Sequence, residues 1–140
     1  MDTFIDGKTV TIVGGANAKV TRTGGGDTGN VIRIDGASTV VLRGLEVSGG
    51  DGDGVEVTDG DVSITGCSVR RNKGIGINVA GGSISVSRSQ VFENDDGGIQ
   101  VASSGTKFAI SNNFIFDNGK ANGPGASTVG GVALTANTTG

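Results

Sequence analysis

An internal repeat of 22 residues constrains the fold of this chain more than any other feature. One column of the repeat holds Val55, Ile77 and Ile99, each 22 residues after the one before. Two more apolar columns follow in phase, and they consist of Leu42, Ile64, Val86 and Ile110, and of Val47, Val69, Val91 and Ile115. A fixed period in this range is typical of a solenoid, in which each coil buries its apolar face only against its neighbours.

Short stretches of alternating apolar and polar residues fill the repeat, and no 11-residue window has helical periodicity. In the clearest copy the alternation predicts strands at 75–79, 83–87 and 90–92. The 28 glycines have no G-X-Y period, which excludes a collagen helix and indicates many tight turns. We therefore predict one all-β domain over residues 1–140, with three short parallel strands per coil and about five or six coils.

Polar residues mark the corners of the predicted coils. Asparagine stands three residues after the last apolar column, at Asn72, Asn94 and Asn118, and these side chains are expected to stack as a hydrogen-bonded ladder. Longer polar turns are predicted at 17–29, 48–54 and 117–131, each after the third strand of its coil. On one side of the solenoid these turns could wall a groove.

Composition excludes several classes of function. The net charge is −3 and no basic stripe is present, so nucleic acid is not an expected partner. The chain has no His, and its one cysteine, Cys67, cannot form an internal disulfide and occupies a turn column. No apolar stretch reaches the ~18–20 residues of a membrane span, and from Met1-Asp2-Thr3 onward the sequence is not expected to form a signal peptide.

Three segments carry a resemblance to a known superfamily: NKGIGINVAGGSISV (72–86), NDDGGIQV (94–101) and ISNNFIFDN (110–118). They resemble the generic repeat of the right-handed parallel β-helix proteins, the pectate-lyase-like (pectin lyase-like) superfamily, over about Thr3 to Leu134. The resemblance implies a single-stranded right-handed β-helix and an extracellular or cell-surface location. It is specific for the fold and not for an activity, because the superfamily contains lyases, glycosidases, tailspikes and adhesins.

The resemblance leaves three functions open. The first is a non-catalytic solenoid module of a secreted or surface protein, serving as a scaffold or as a weakly glycan-contacting surface. The second is a Ca²⁺-assisted polysaccharide lyase or glycosidase, or a fragment of one, and the third is an engineered solenoid without a ligand. The N-terminal cap usual in the superfamily is not evident, so we expect a fragment or a minimal version of a longer β-helix. Exposed coil ends would permit end-to-end or lateral self-association.

Enzymes of this superfamily usually place their site on the outer face of the first sheet. The corresponding outward column here is Arg33, Glu56, Asn78, Gln100 and Ala133, and neighbouring turns add Asp95 and Asp96. The resemblance makes Arg33 and Glu56 the catalytic candidates, with Asn78, Gln100, Asp95 and Asp96 as candidates for a polysaccharide groove. Glycosidases of this superfamily carry two further motifs beside their paired aspartates, and this chain lacks both. Asn72-Lys73-Gly74 stands in place of one motif, and the chain has no His for the other.

A calcium site is the one metal site that the sequence suggests. The segment GGDGDGVEV (49–57) is similar to a calcium-binding nonapeptide, but its aspartate falls one residue early and the motif is not repeated. Oxygen ligands suit Ca²⁺, so Asp51, Asp53 and Asp59 are the candidate ligands. Ordinary turn chemistry accounts for the same residues.

Overall fold

The structure, a computed structural model, describes residues 2–22, 29–103, 106–120 and 129–135. Within these ranges the chain forms sixteen strands and no helix. In chain order the strands are β1 Thr3–Asp6, β2 Thr9–Val13, β3 Lys19–Thr21, β4 Ile32–Asp35, β5 Thr39–Arg43, β6 Glu46–Ser48, β7 Val55–Val57, β8 Asp61–Thr65, β9 Ser68–Arg70, β10 Ile75–Val79, β11 Ser83–Ser87, β12 Gln90–Phe92, β13 Gly97–Val101, β14 Lys107–Ser111, β15 Phe114–Phe116 and β16 Val129–Leu134. None of the described residues lies in a helix that could cross a membrane.

All strand pairs are parallel, and every third strand joins the same sheet. The first sheet has the order β1-β4-β7-β10-β13-β16, the second β2-β5-β8-β11-β14 in sequence order, and the third β3-β6-β9-β12-β15. The predicted all-β parallel solenoid with three strands per coil is therefore confirmed. The coil count is slightly lower than the predicted five or six, because the solenoid makes about 4 turns of ~23 residues and its last coil contributes only β16 among the described residues.

The core is a set of apolar columns that run along the solenoid axis. Ile34, Val57, Val79 and Val101 stack in register in the first sheet, and each is at most 1% exposed. Alternating residues of the second and third sheets complete the interior, as the period-2 pattern predicts. Burial of these branched side chains against the coils above and below is the main stabilising term of a solenoid.

The first coil corrects one part of the sequence prediction. The segment 17–29 was predicted to be a turn after the third strand, but it contains that strand, β3. Val20 occupies the third apolar column beside Val47, and its three-residue strand is too short to show alternation clearly. Residues 23–28, together with 121–128 of the other long predicted turn, lie outside the described residues.

Sharp corners separate the strands, and left-handed backbone conformations form them. Gly44 and Gly66 occupy the corner between the second and third sheets with φ of +63° and +62°. Arg71 and Glu93 hold the next corner with φ of +55° each, and their side chains form an ion pair of 2.8 Å along the axis. Glycine adopts this conformation without a steric penalty, whereas side chains adopt it at a cost that the stacked coils must offset.

The asparagine ladder stands directly after that corner. Asn72 donates to Asn94 Oδ1 at 2.9 Å, and Asn94 donates to Asn118 Oδ1 at 2.9 Å. Each amide also donates to the carbonyl of the apolar column one coil back, for example from Asn94 Nδ2 to Val69 O at 3.1 Å. These buried amides are hydrogen-bonded at both ends, so the ladder fixes the coil register without leaving orphaned polar groups.

A column of glycines faces the ladder and makes room for it. A Cβ on Gly76 would lie 2.6 Å from Val91 Cγ1 and 2.7 Å from Asn94 Nδ2. Gly54 and Gly98 stand 22 residues to either side with the same kind of neighbours. Sequence reasoning missed this column, although its 22-residue spacing was visible.

Both ends of the described solenoid present strands with a neighbour on one side only. An inward-facing residue is more exposed at an end of its column than in the middle. In the same column of the second sheet, Val62 in the middle is 4% exposed, whereas Phe108 on the last strand is 47% exposed. Self-association through such edges stays a prediction.

Candidate functional site

A column of outward-facing residues, polar or aromatic in every coil but the last, runs along the outer face of the first sheet, and we call it the outer row. It consists of Phe4, Arg33, Glu56, Asn78, Gln100 and Ala133, which are paired in register from β1 to β16. Neighbouring members lie one strand spacing apart, about 4.8 Å. The structure thus brings together the four residues that the sequence singled out on this face, Arg33, Glu56, Asn78 and Gln100.

Glu56 lies at the centre of a hydrogen-bonded cluster in the outer row. Its Oε2 accepts from Asn30 Nδ2 at 2.8 Å and lies 3.4 Å from Arg33 Nε. Burial raises the pKa of the Glu56 carboxyl, and the nearby Arg33 guanidinium partly offsets that rise. The side chain of Glu56 is 21% exposed, so ligand in solution could reach it.

Asp53 supports the outer row from the turn that precedes β7. Its Oδ1 accepts from the backbone N–H of Ile75 at 2.8 Å, and its Oδ2 accepts from Asn78 Nδ2 at 2.9 Å. Its own N–H donates to Asn30 Oδ1 at 2.8 Å. Burial raises the pKa of the Asp53 carboxyl, since these hydrogen bonds offset only part of the desolvation penalty.

Asn30 connects the Glu56 carboxylate to the backbone of Asp53, and sequence reasoning missed it. Its side chain is buried, at 3% exposure for the residue, and it bridges Glu56 and the Asp53 backbone. The residue lies outside the regular strands and precedes β4, so no repeat position pointed to it. A single amide thereby ties the turn to the outer row.

The two other acidic groove candidates differ in their surroundings. Asp96 is half-buried, and its negative charge contributes to the raised pKa of Asp53. Asp95 is exposed, and its backbone N–H donates to Asn72 O at 2.9 Å. Asp96 thus belongs to the electrostatic surroundings of Asp53, whereas the backbone of Asp95 takes part in the hydrogen bonding of the corner.

The three candidate calcium ligands are not brought together. Asp51 forms an ion pair with Lys73 at 2.7 Å, and both oxygens of Asp53 already accept hydrogen bonds. Asp59 lies at a different corner, where it accepts from the backbone N–H groups of Ala37 and Gly60. No group of three or more acidic or cysteine side chains able to hold a metal occurs in the described part of the chain. These residues therefore do not fit a Ca²⁺ ion.

Aromatic side chains supply two features that the sequence analysis did not use. Phe4 is 57% exposed at the N-terminal end of the outer row, and the Arg33 guanidinium lies 5.7 Å from its ring centroid. On the outer face of the third sheet Phe92 and Phe116 stack with centroids 4.9 Å apart, and Arg70 lies 5.8 Å from the Phe92 centroid. The Arg70–Phe92 pair could have been found by continuing the 22-residue columns to the third strand, whereas the Phe4–Arg33 and Phe92–Phe116 pairs depart from that spacing.

A concavity elsewhere on the surface does not coincide with the outer row. A groove of about 290 Å³ lies at the corner between the second and third sheets, where Gly44, Glu46, Cys67 and Arg88 contribute to its walls. The Cys67 side chain is buried there and its pKa is raised by burial, so it is a poor nucleophile. The outer row instead consists of partly exposed side chains from successive strands, with Arg33 35% and Glu56 21% exposed at the side chain.

Comparison with known proteins identifies the family and goes no further. A search of curated proteins and a search of solved structures each give no significant match. The family described as right handed beta helix region matches residues 5–138, which is nearly the whole chain. The parallel three-sheet topology agrees with this match. The chain therefore belongs to the right-handed β-helix family.

Proposed function

We propose that this chain is a non-catalytic β-helix scaffold of a secreted or surface protein, and that its outer row is a glycan-contacting surface. The observation that carries the proposal is the regular spacing of the row, in which Phe4, Arg33, Glu56, Asn78 and Gln100 each come from a successive coil. A repeating ligand can meet such a repeating surface without a deep pocket.

The chemistry of the outer row supports a sugar ligand. Sugar rings offer apolar C–H faces to an aromatic ring and hydroxyl groups to planar polar side chains. Phe4 provides the exposed ring, and Arg33, Glu56, Asn78 and Gln100 provide planar polar groups. A few placed polar groups beside an apolar surface are typical of ligand sites.

The hydrogen bonds of Asp53 support a non-catalytic role. Hydrolysis of a glycosidic bond generally needs two carboxyl groups that can exchange protons or attack. Both oxygens of Asp53 accept hydrogen bonds that hold β10 and Asn78, so this carboxyl is engaged in the scaffold. Glu56 is the only carboxyl in the outer row itself, and it lacks an equivalent partner there.

Affinity electrophoresis in gels that contain polysaccharide measures glycan binding and so tests the proposal. We expect several glycans to retard migration of the wild-type chain. The affinity derived from this retardation should fall at least severalfold in Phe4→Ala and in Gln100→Ala. Ser85→Ala on the outer face of the second sheet is the matched control and should bind like the wild type. If no glycan retards the wild-type chain, or if all three variants behave alike, the proposed surface is wrong.

One observation favours a second candidate, a polysaccharide lyase or glycosidase. The raised pKa of Glu56 and its proximity to Arg33 are the kind of arrangement that supplies a general acid beside a charge-stabilising group. An assay for unsaturated products and new reducing ends distinguishes the two candidates. Product formation that disappears in Glu56→Gln would replace the scaffold proposal by the enzyme.

A further inference from the structure

We infer that the outer row binds neutral, hydroxyl-rich glycans in preference to polyuronates, because its two central side chains present hydrogen-bond acceptors amid an excess of negative charge. The inference rests on the proposed glycan contact and narrows the class of ligand. Asn78 and Glu56 each form hydrogen bonds within the protein, and the inference depends on which of their polar atoms are left to bind a ligand.

The orientation of the Asn78 amide is set by Asp53. An ionised carboxylate can only accept hydrogen bonds, so the NH₂ group of Asn78 must face Asp53 Oδ2, at 2.9 Å. The Asn78 carbonyl oxygen consequently lies on the other side of the amide. The row therefore presents an acceptor at this coil.

Glu56 presents a second acceptor one coil away. Asn30 Oδ1 accepts from the Asp53 N–H, so the Asn30 NH₂ group faces Glu56 and donates to its Oε2. Arg33 Nε also lies closest to that same oxygen. No hydrogen bond to Glu56 Oε1 occurs among the described residues, which leaves this oxygen for a ligand donor.

Two acceptors at successive coils match a chain of hydroxyl donors. Glu56 and Asn78 are register partners on neighbouring strands about 4.8 Å apart, so the two acceptors come from successive coils. Sugar hydroxyl groups donate to such acceptors, whereas the carboxylate of a uronate has no proton to donate at neutral pH.

The surrounding charge disfavours a polyanion. The negative charge of Asp53 raises the pKa of Glu56, and the negative charge of Asp96 raises the pKa of Asp53, so carboxylates follow one another along this part of the surface. Arg33 is the cation within the row, and Glu56 already lies beside it. Lys73 is bound to Asp51 at 2.7 Å. A polyuronate would bring further negative charge to this surface, which costs affinity most at low salt.

The test compares sugars that differ only in charge. We would measure affinities for β-1,4-linked gluco-oligosaccharides and for the same oligosaccharides oxidised to uronates at C6, beside a panel of other neutral and acidic glycans, all with a chelator present. The wild type is expected to bind the neutral member of each pair more tightly, on the order of tenfold at low salt.

The variant Glu56→Gln gives a sharper readout. The Asn30 NH₂ group would select the Gln carbonyl, so the Gln NH₂ group would face the ligand as a donor. We expect the preference to shift toward the uronate by about tenfold, which is the effect of removing one nearby like charge. Asp61→Asn, on the second sheet, removes the same net charge and should leave the preference unchanged.

Each outcome separates this inference from the proposed function. Tighter binding of uronates by the wild type would overturn the inference and leave the glycan contact standing. A shift of equal size in Asp61→Asn would also overturn it, because net charge and not the row would then set the preference. Absence of binding to the whole panel would instead overturn the proposed function.

Discussion

Removing one rung of the asparagine ladder should destabilise the whole solenoid. In Asn94→Ala, Asn72 loses the Oδ1 atom that accepts from its backbone N–H at 3.2 Å and from its side-chain Nδ2 at 2.9 Å. Asn72 Nδ2 keeps Val47 O as an acceptor at 3.5 Å, and Val69 O loses the Asn94 amide. These groups are buried, so water cannot replace the lost partners without opening the corner.

The structure sets the size of the effect. Two buried donors left unsatisfied cost about 1–3 kcal/mol each, so we expect a loss of roughly 2–6 kcal/mol. For a chain of this length that corresponds to a fall in Tm of about 8–20 °C. Gln100→Ala removes a half-buried outward amide and should change the free energy of unfolding by about 0.5 kcal/mol or less.

Urea unfolding followed by far-ultraviolet circular dichroism measures both variants against the wild type. The expected result is a clear fall in the urea midpoint of Asn94→Ala and a nearly unchanged midpoint for Gln100→Ala. Equal midpoints for the two variants would refute the argument that the ladder supplies buried, irreplaceable hydrogen bonds.

Three further predictions concern the core, one ion pair and the glycine column. Ile77→Asp should lower the thermal midpoint far more than Glu56→Ala, because Ile77 is 0% exposed and its replacement puts an unpaired carboxyl into the core; equal midpoints would contradict the coil assignment. Hydrogen bonding to the Arg70 guanidinium is the main cause that lowers the pKa of Glu46 from 4.5 to about 2. Ionisation of Glu46 therefore favours the folded state. Glu46→Gln should therefore cost about 1–2 kcal/mol above pH 4.5, after allowance for solvent screening, and this difference should vanish as the pH falls toward 2; a pH-independent difference in urea midpoints would argue against the ion pair. Gly76→Ala should cost about 1–3 kcal/mol by thermal unfolding, whereas Gly15→Ala, with open space around its Cβ, should not, and similar losses in both would contradict the crowding.

The fold could be predicted from the sequence because each coil of a solenoid repeats the same pattern of apolar and polar residues. Three strands predicted in one copy, Ile75–Val79, Ser83–Ser87 and Gln90–Phe92, have these same bounds in the structure. Each apolar column is sampled several times, so exceptions such as Cys67 do not hide the period. A single-copy domain offers no such redundancy.

The first coil and the supporting residues of the outer row were harder to predict. The first-sheet register pairs Thr3 with Ile32, a spacing that departs from the regular repeat, so Phe4 was not recognised as a member of the row. Asn30 lies in a turn outside the repeat, and only the three-dimensional structure shows that it holds Glu56. Spacing predicts which residues share a face, but it does not predict the hydrogen bonds that decide which atoms stay open.

The predicted calcium site rested on a short motif and on aspartates in turns, and the structure assigns those aspartates other contacts. Aspartates at 51, 53 and 59 suggested a calcium site, yet their side chains are engaged with Lys73, Asn78 and backbone amides. Carboxylate-rich turns can serve as hydrogen-bond acceptors for the corners that they form, and the sequence does not distinguish that role from metal binding.

The central claim is that the outer row binds glycan without cleaving it. The most direct measurement incubates the wild type and Gln100→Ala with the same polysaccharide panel and follows binding and product formation in parallel. We predict binding by the wild type, reduced binding by Gln100→Ala, and no unsaturated products or new reducing ends from either. Cleavage of any polysaccharide by the wild type, or binding that is unaffected in Gln100→Ala, would contradict the account.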